Sequence, residues 1–299
     1  MTTIFPPSLK PNDKIAIVSP SGAVDAVYVD GALALLTKWG FEPVIFPHAK
    51  GRYGRYAGTV SERAADLQKA INDPNVKAIL CSRGGYGAIQ IVKNITLEPL
   101  LDNPKWLIGF SDITIFHAML AKQNIASIHG IMARHLTENT PNDNAVQFLY
   151  DILTGKTLSY TILPHQLNRI GKTQGKLVGG NLSVLYGLRG TKYDFVPEGS
   201  ILFIEDLAEK PYHIDRMMHS LKLGGMLESL SGLIVGQFTD IEEDEQMFRT
   251  VYEIIADAVS DYDYPVCFNF PAGHIPQNLP LVMGAETKME VLPQHVHLE

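Results

Sequence analysis

Between Lys14 and about Gly130 the chain repeats one pattern: a short, nearly continuous run of Val, Ile and Leu, then a longer segment with apolar residues at helical spacing. The runs are KIAIVSPSG, EPVIFPH, VKAILCSRGG, WLIGFSD and IASIHG, and the longer segments include ERAADLQKAI and DITIFHAMLAKQ. A strand that is apolar at successive positions has no solvated face and needs cover on both sides. Helices between such strands supply that cover when the strands lie parallel in one sheet. Residues 1–155 are therefore expected to form an α/β domain, an open parallel sheet flanked by helices.

The stretch TGKTLSYTILPHQLNRIGKTQG interrupts the alternation with polar and turn-forming residues, and a linker is expected over 156–175. Beyond it GKLVGG, SILFIED, LSGLIVGQFTD, PVCFNFPAG and ETKMEVL read as strands, with AEKPYHIDRMMHSLKL and DEQMFRTVYEIIADAV as helices. Residues 176–299 are expected to form a second domain, strand-rich, mixed or barrel-like. A chain of 299 residues accommodates two such domains, each with its own core.

Charge and cysteine content narrow the function. The formal net charge is -7 and no cluster of Lys and Arg occurs, which argues against nucleic acid or an anionic membrane surface as partner. No apolar run approaches the ~18 residues of a membrane span. The start, MTTIFPPSLKPNDKIAIVSPSG, lacks the basic and apolar regions of a secretory signal. The two cysteines, Cys81 and Cys267, are not in C-x-x-C spacing, and no H-E-x-x-H or similar cluster is present. The cysteine usage fits a reducing cytoplasm.

Ligands of open α/β sheets bind outside the carboxyl ends of the strands. The run WLIGF ends on Ser111, two residues after Gly109 and directly before a helical pattern. That placement suits a nucleophile elbow, with the hydroxyl held on a tight turn and the backbone N–H of Asp112 aimed at an oxyanion. The usual string G-x-S-x-G is broken here by Ile113. Ser111 also suits a helix N-cap, which needs no chemistry. A second strand end, CSRGGYGA, places three glycines, Gly84, Gly85 and Gly87, within four positions. Such a loop brings backbone N–H groups close to a ligand, or merely turns. Arg83 within it suits a carboxylate, by its two-pronged guanidinium, or a surface acid.

A serine nucleophile needs a base, and the base an orienting acid. His274, in the proline-flanked loop FPAGHIPQN, is the base candidate, whereas His117 and His219 lie in helical patterns and read as packing or surface. Glu205, at the tip of SILFIED, is the acid candidate because a carboxylate there is costly unless paired. Asp206 beside it is the rival, since neighbouring strand residues face opposite ways.

SRGGYGA, GFSDIT, GGNLSVL, FIEDLAEKPYHIDRMMHSL and GHIPQNLPLVMGAE, in this order over nearly the whole chain, resemble the serine L,D-carboxypeptidases of the murein tetrapeptide carboxypeptidase type, peptidase family S66. The resemblance implies a Ser111, Glu205 and His274 triad and an N-terminal domain similar to class I glutamine amidotransferases. It also implies a C-terminal swivelling barrel, a site assembled between domains, a homodimer and no metal. The implied reaction is removal of the terminal D-alanine from murein tetrapeptide in cytoplasmic cell-wall recycling. The oxyanion would be received by the N–H of Asp112 and one from Gly84 or Gly85, and Arg83 would hold the substrate carboxylate. Three alternatives are an immunity-type peptidase cleaving a toxic aminoacyl-nucleotide, a non-catalytic binder of a small anion, and an amidotransferase-like enzyme using Cys81.

Overall fold

The computed structural model describes residues 2–140, 143–242 and 244–299. The chain divides into two compact units, one formed by residues up to Thr157 with Pro276–Gly284, the other by Leu158–Ile275 with Ala285–Glu299. The strands in chain order are β1 (Lys14–Val18), β2 (Glu42–Ile45), β3 (Val76–Cys81), β4 (Trp106–Gly109), β5 (Ser127–His129), β6 (Tyr160–Ile162) and β7 (Gly171–Asn181). They continue with β8 (Ile201–Leu207), β9 (Gly232–Thr239), β10 (Val266–Cys267), β11 (Leu281–Met283), β12 (Glu286–Val291) and β13 (Val296–Leu298).

The first unit holds a sheet in the order β11-β5-β4-β3-β1-β2. β2, β1, β3, β4 and β5 pair in parallel. In β1, β3 and β4 every residue except Lys14 and Lys77 is buried, as expected for strands covered on both faces. Their cover includes the helices Ala26–Lys38, Val60–Asn72 and Thr114–Lys122. Thr59 starts the second of these with a capping box, its side chain accepting from Glu62 N while the Glu62 carboxylate accepts from Thr59 N at 2.8 Å. The strand order reverses beside β1, so the loops after β1 and β3 flank the crevice where such sheets bind ligands.

The second unit holds a sheet in the order β10-β9-β8-β7-β12-β13-β6. β7 to β10 pair in parallel, and β7, β12, β13 and β6 pair antiparallel. β8 is buried along its length except at Leu207.

Three features depart from the sequence reading. The stretch 156–175 contains β6 and the first residues of β7. Pro276–Gly284 returns to the first unit, where β11 lies antiparallel to β5 with Leu281 opposite His129. The helix expected over 244–259 begins only at Val251, after a 3-10 turn at Glu245–Met247, because Thr250 and Glu253 form a second capping box. Among the described residues, no helix is long and apolar enough to cross a membrane.

Candidate active site

β4 delivers Ser111. The strand is buried along its length, Phe110 is extended, and Ser111 then takes φ +64°, a left-handed conformation that costs energy outside glycine. A 3-10 turn, Ser111–Ile113, leads into the helix Thr114–Lys122, and neither has a side-chain cap. Ser111 is thus held on a strained strand-to-helix turn, half-buried, and does not serve as a helix cap.

His117 secures the strand end below it. A carbonyl accepts, so Nε2–H donates to Gly109 O at 2.8 Å and Nδ1 accepts from Ser127 Oγ at 2.8 Å. Complete burial lowers its pKa to about 4, outweighing the Gly109 bond, so the ring is neutral.

The glycine loop after β3 leans on the same serine. A Cβ on Gly84 would lie 2.7 Å from Ser111 Cβ and 3.0 Å from Ser111 Oγ, so no side chain fits there. Gly85 and Gly87 take φ +94° and +140°. Gly84 O accepts from Gly22 N at 2.9 Å, tying this loop to the one after β1. Among the described residues, the N–H groups of Gly84 and Gly85 make no backbone hydrogen bond. Arg83 is exposed and donates from Nη1 to Ala23 O at 2.6 Å.

Two buried side chains hold this assembly, and neither stood out in the sequence. The Asp112 carboxylate accepts at Oδ2 from Ser21 Oγ and from Ala88 N, the latter at 2.8 Å. Burial raises its pKa, against the bonds from Ser21 and Ala88 and the charge of Arg63. Arg63, 1% exposed, donates to Gly58 O, Pro20 O and Gly87 O at 3.0, 2.9 and 2.8 Å, and to Gln90 Oε1 at 2.7 Å. Its one sequence signal is position: Arg63, Leu67 and Ala70 share the buried face of their helix.

In the second unit, Glu205 sits fully buried in β8. Between Ile204 and Asp206 the register with β9 shifts, β9 carrying one extra residue, a bulge of the sort that re-aims side chains. Glu205 Oε2 lies 2.6 Å from His274 Nδ1. A carboxylate accepts, so Nδ1 donates, and the lone pair of the neutral ring lies on Nε2. The His274 loop is fastened to β9 by Gln237 N donating to Ala272 O at 2.9 Å and Thr239 Oγ1 to His274 O at 3.4 Å. Gly273, at φ +132°, packs its backbone against the Glu205 side chain. Burial alone would depress the His274 pKa. The bond and charge of Glu205, with the charges of Asp206 and Asp240, outweigh it and leave the ring above its ordinary value.

Asp206 is not the partner of His274. It accepts from Asn181 Nδ2, Ser183 N and Leu207 N at 2.9, 2.8 and 2.9 Å. Burial, aided by the charge of Glu205, raises it to about 6 against those bonds. Cys81 is buried in β3 and its thiol is pushed up by desolvation, which disfavours the thiolate a nucleophile requires. Among the described residues, no group of three or more His, Cys, Asp or Glu is placed to hold a metal.

Residues 15–130 match the N-terminal domain of the LD-carboxypeptidase family and residues 174–289 its C-terminal domain. A putative carboxypeptidase of Synechocystis is 34% identical over 287 residues, 95% of this chain and 94% of the relative. The chain belongs to the LD-carboxypeptidase family. Another LD-carboxypeptidase relative, a probable murein peptide carboxypeptidase of Bacillus subtilis, is 30% identical over 98% of this chain and 94% of its own. The solved muramoyltetrapeptide carboxypeptidase of Oxalobacter formigenes superposes with a TM-score of 0.88 at 26% identity, covering 95% of this chain and 97% of that one.

Proposed function

We propose that this LD-carboxypeptidase removes the terminal D-alanine from murein tetrapeptide by serine catalysis, in cytoplasmic cell-wall recycling and as a homodimer. The observation that carries the reading is the 2.6 Å bond from His274 to the buried Glu205, which sets the tautomer a general base needs. Ser111 on its strained turn is the nucleophile. Family membership and the names of the relatives support the substrate class.

His274 Nε2 takes the proton of Ser111 Oγ as the oxygen attacks the carbonyl, and Glu205 steadies the imidazolium that forms. The tetrahedral oxyanion is received by the N–H of Asp112 and one from Gly84 or Gly85, donors each worth about 10²–10³ in rate. His274 then protonates D-alanine as it leaves, and water, deprotonated by the same ring, releases the acyl group from Ser111. Arg83 pairs with the free carboxylate that an exopeptidase recognises. In this reading the first unit is the glutamine amidotransferase-like domain and the second the swivelling barrel. No metal or cofactor takes part.

The test uses wild type and Ser111→Ala with L-Ala-γ-D-Glu-meso-diaminopimelate-D-Ala, quantifying free D-alanine by chiral chromatography. Release by wild type alone is expected. No release by a folded wild type overturns the murein substrate and directs the assay to aminoacyl-nucleotides.

A further inference from the structure

The sequence assigns Asp112 only a backbone role, beside the nucleophile, and gives Arg63 none. We infer that their side chains are positioning residues, a buried brace that holds the glycine loop 84–88 against Ser111 and so keeps the oxyanion donors aimed.

The loop has little of its own to hold it. Gly84 and Gly85 add no side-chain contacts, Gly85 and Gly87 occupy left-handed conformations, and the Gly84 backbone stands against the Ser111 side chain. Glycine loses more conformational freedom on ordering than any other residue, so the loop needs external anchors. Asp112 and Arg63 anchor it from opposite polarities. The Asp112 carboxylate accepts from the N–H of Ala88, and Arg63 donates to the carbonyl of Gly87, so both polar groups of the peptide joining Gly87 to Ala88 are fixed.

The same two side chains hold the loop after β1. Asp112 takes the hydroxyl of Ser21, and Arg63 Nη1 donates to Pro20 O. Between those contacts Gly22 N donates to Gly84 O. The peptide joining Gly84 and Gly85 is planar and trans, so fixing its carbonyl on Gly22 turns the Gly85 N–H the opposite way. Asp112 neighbours the nucleophile in the chain, so the nucleophile turn, the glycine loop and the loop after β1 move as one body. Neither side chain needs to touch substrate.

Ser21 Oγ and Ala88 N both donate to Oδ2 of Asp112, so asparagine with its carbonyl oxygen at that position would keep both bonds, whereas alanine removes both. Lysine at 63 keeps the charge and lacks the planar fork that reaches several carbonyls at once.

The inference rests on the serine mechanism above, and the experiment separates the two. Wild type, Asp112→Ala, Arg63→Lys and Ser21→Ala are compared by thermal melting, by kcat and KM on the murein tetrapeptide, and by the second-order rate of labelling with a fluorophosphonate. The labelling rate reads the nucleophile and its oxyanion donors whatever the natural substrate is. For Asp112→Ala and Arg63→Lys, kcat and the labelling rate are expected to fall together by about 10–10³-fold with KM within about threefold, since the lost interactions act in the transition state. Ser21→Ala, which removes one contact to Asp112 and no backbone bond, is expected to slow labelling several-fold without a large change in melting. Labelling at the wild-type rate in folded Asp112→Ala or Arg63→Lys overturns the brace, as does a loss confined to KM. Where those two variants do not fold, Ser21→Ala decides: slower labelling supports the brace and an unchanged rate overturns it. A wild type that labels but releases no D-alanine overturns the substrate and leaves the brace testable on the probe.

Discussion

His274 Nδ1 stands 2.6 Å from Glu205 Oε2, and the carboxylate that receives it is fully buried. The pair sets the orientation of the ring and, in the proposed mechanism, the pH at which it acts as a base. Glu205→Gln keeps the volume and removes the charge, and kcat is expected to fall on the order of 10⁴-fold, as when the acid of a serine triad is amidated.

The pH profile reports the same pair. A general base works when neutral, so activity falls with acidification, and the wild-type midpoint lies above the ordinary imidazole value of 6.5. Without the Glu205 charge, burial dominates and the midpoint moves down. Profiles of kcat/KM for wild type and Glu205→Gln check this, and coincident acidic limbs would count against His274 as the base.

Gly84→Ala tests the close approach of the glycine loop to Ser111. The added methyl group would sit 2.7 Å from Ser111 Cβ, so loop and nucleophile must part. Turnover and fluorophosphonate labelling are expected to drop by about 10²-fold or more while the fold persists, because the oxyanion donors retreat with the loop.

Stability should carry the signature of His117. Its folded pKa is near 4 against 6.5 in the unfolded chain, so between these values the unfolded state binds the extra proton. The contribution is complete above 6.5 and is lost as pH falls to about 4, by about 3 kcal/mol at 1.36 kcal/mol per unit. Asp206, raised to about 6, acts in the opposite sense, its stabilisation lost as pH rises through that value. The effect is therefore read as a difference: chemical denaturation of wild type and His117→Phe at a series of pH values should show wild type gaining on the variant between about pH 4 and 6.5.

Both cysteines are buried, and burial raises both thiols. Iodoacetamide should leave the native protein active, and Cys81→Ala should retain labelling at Ser111. Inactivation by the reagent in the folded state would revive a thiol mechanism.

The candidate residues of the proposed site stood out in the sequence because each breaks a pattern at a strand end. Ser111, Glu205 and the loop of His274 all interrupt or follow an apolar run, and polar groups there are conspicuous. Arg63, His117 and the Asp112 carboxylate were not, because their partners lie far along the chain and are mostly backbone atoms, which carry no sequence signature. Asp206 could not be separated from Glu205 by alternation alone; the bond to His274 separates them. The parallel strands of the first unit matched their apolar runs, whereas β6, β11 and β13, of three residues each, are too short for a period to register.

The return of Leu281–Met283 to the first sheet also governs how the chain can be cut. A fragment ending at Thr157 would hold the nucleophile turn and the glycine loop yet leave the ladder of β5 bare on one side. Bare ladders recruit other chains. The half carrying Ser111 is therefore a poor candidate for separate expression, and a fusion that restores residues 276–284 behind Thr157 is the shortest piece with its outer strand in place.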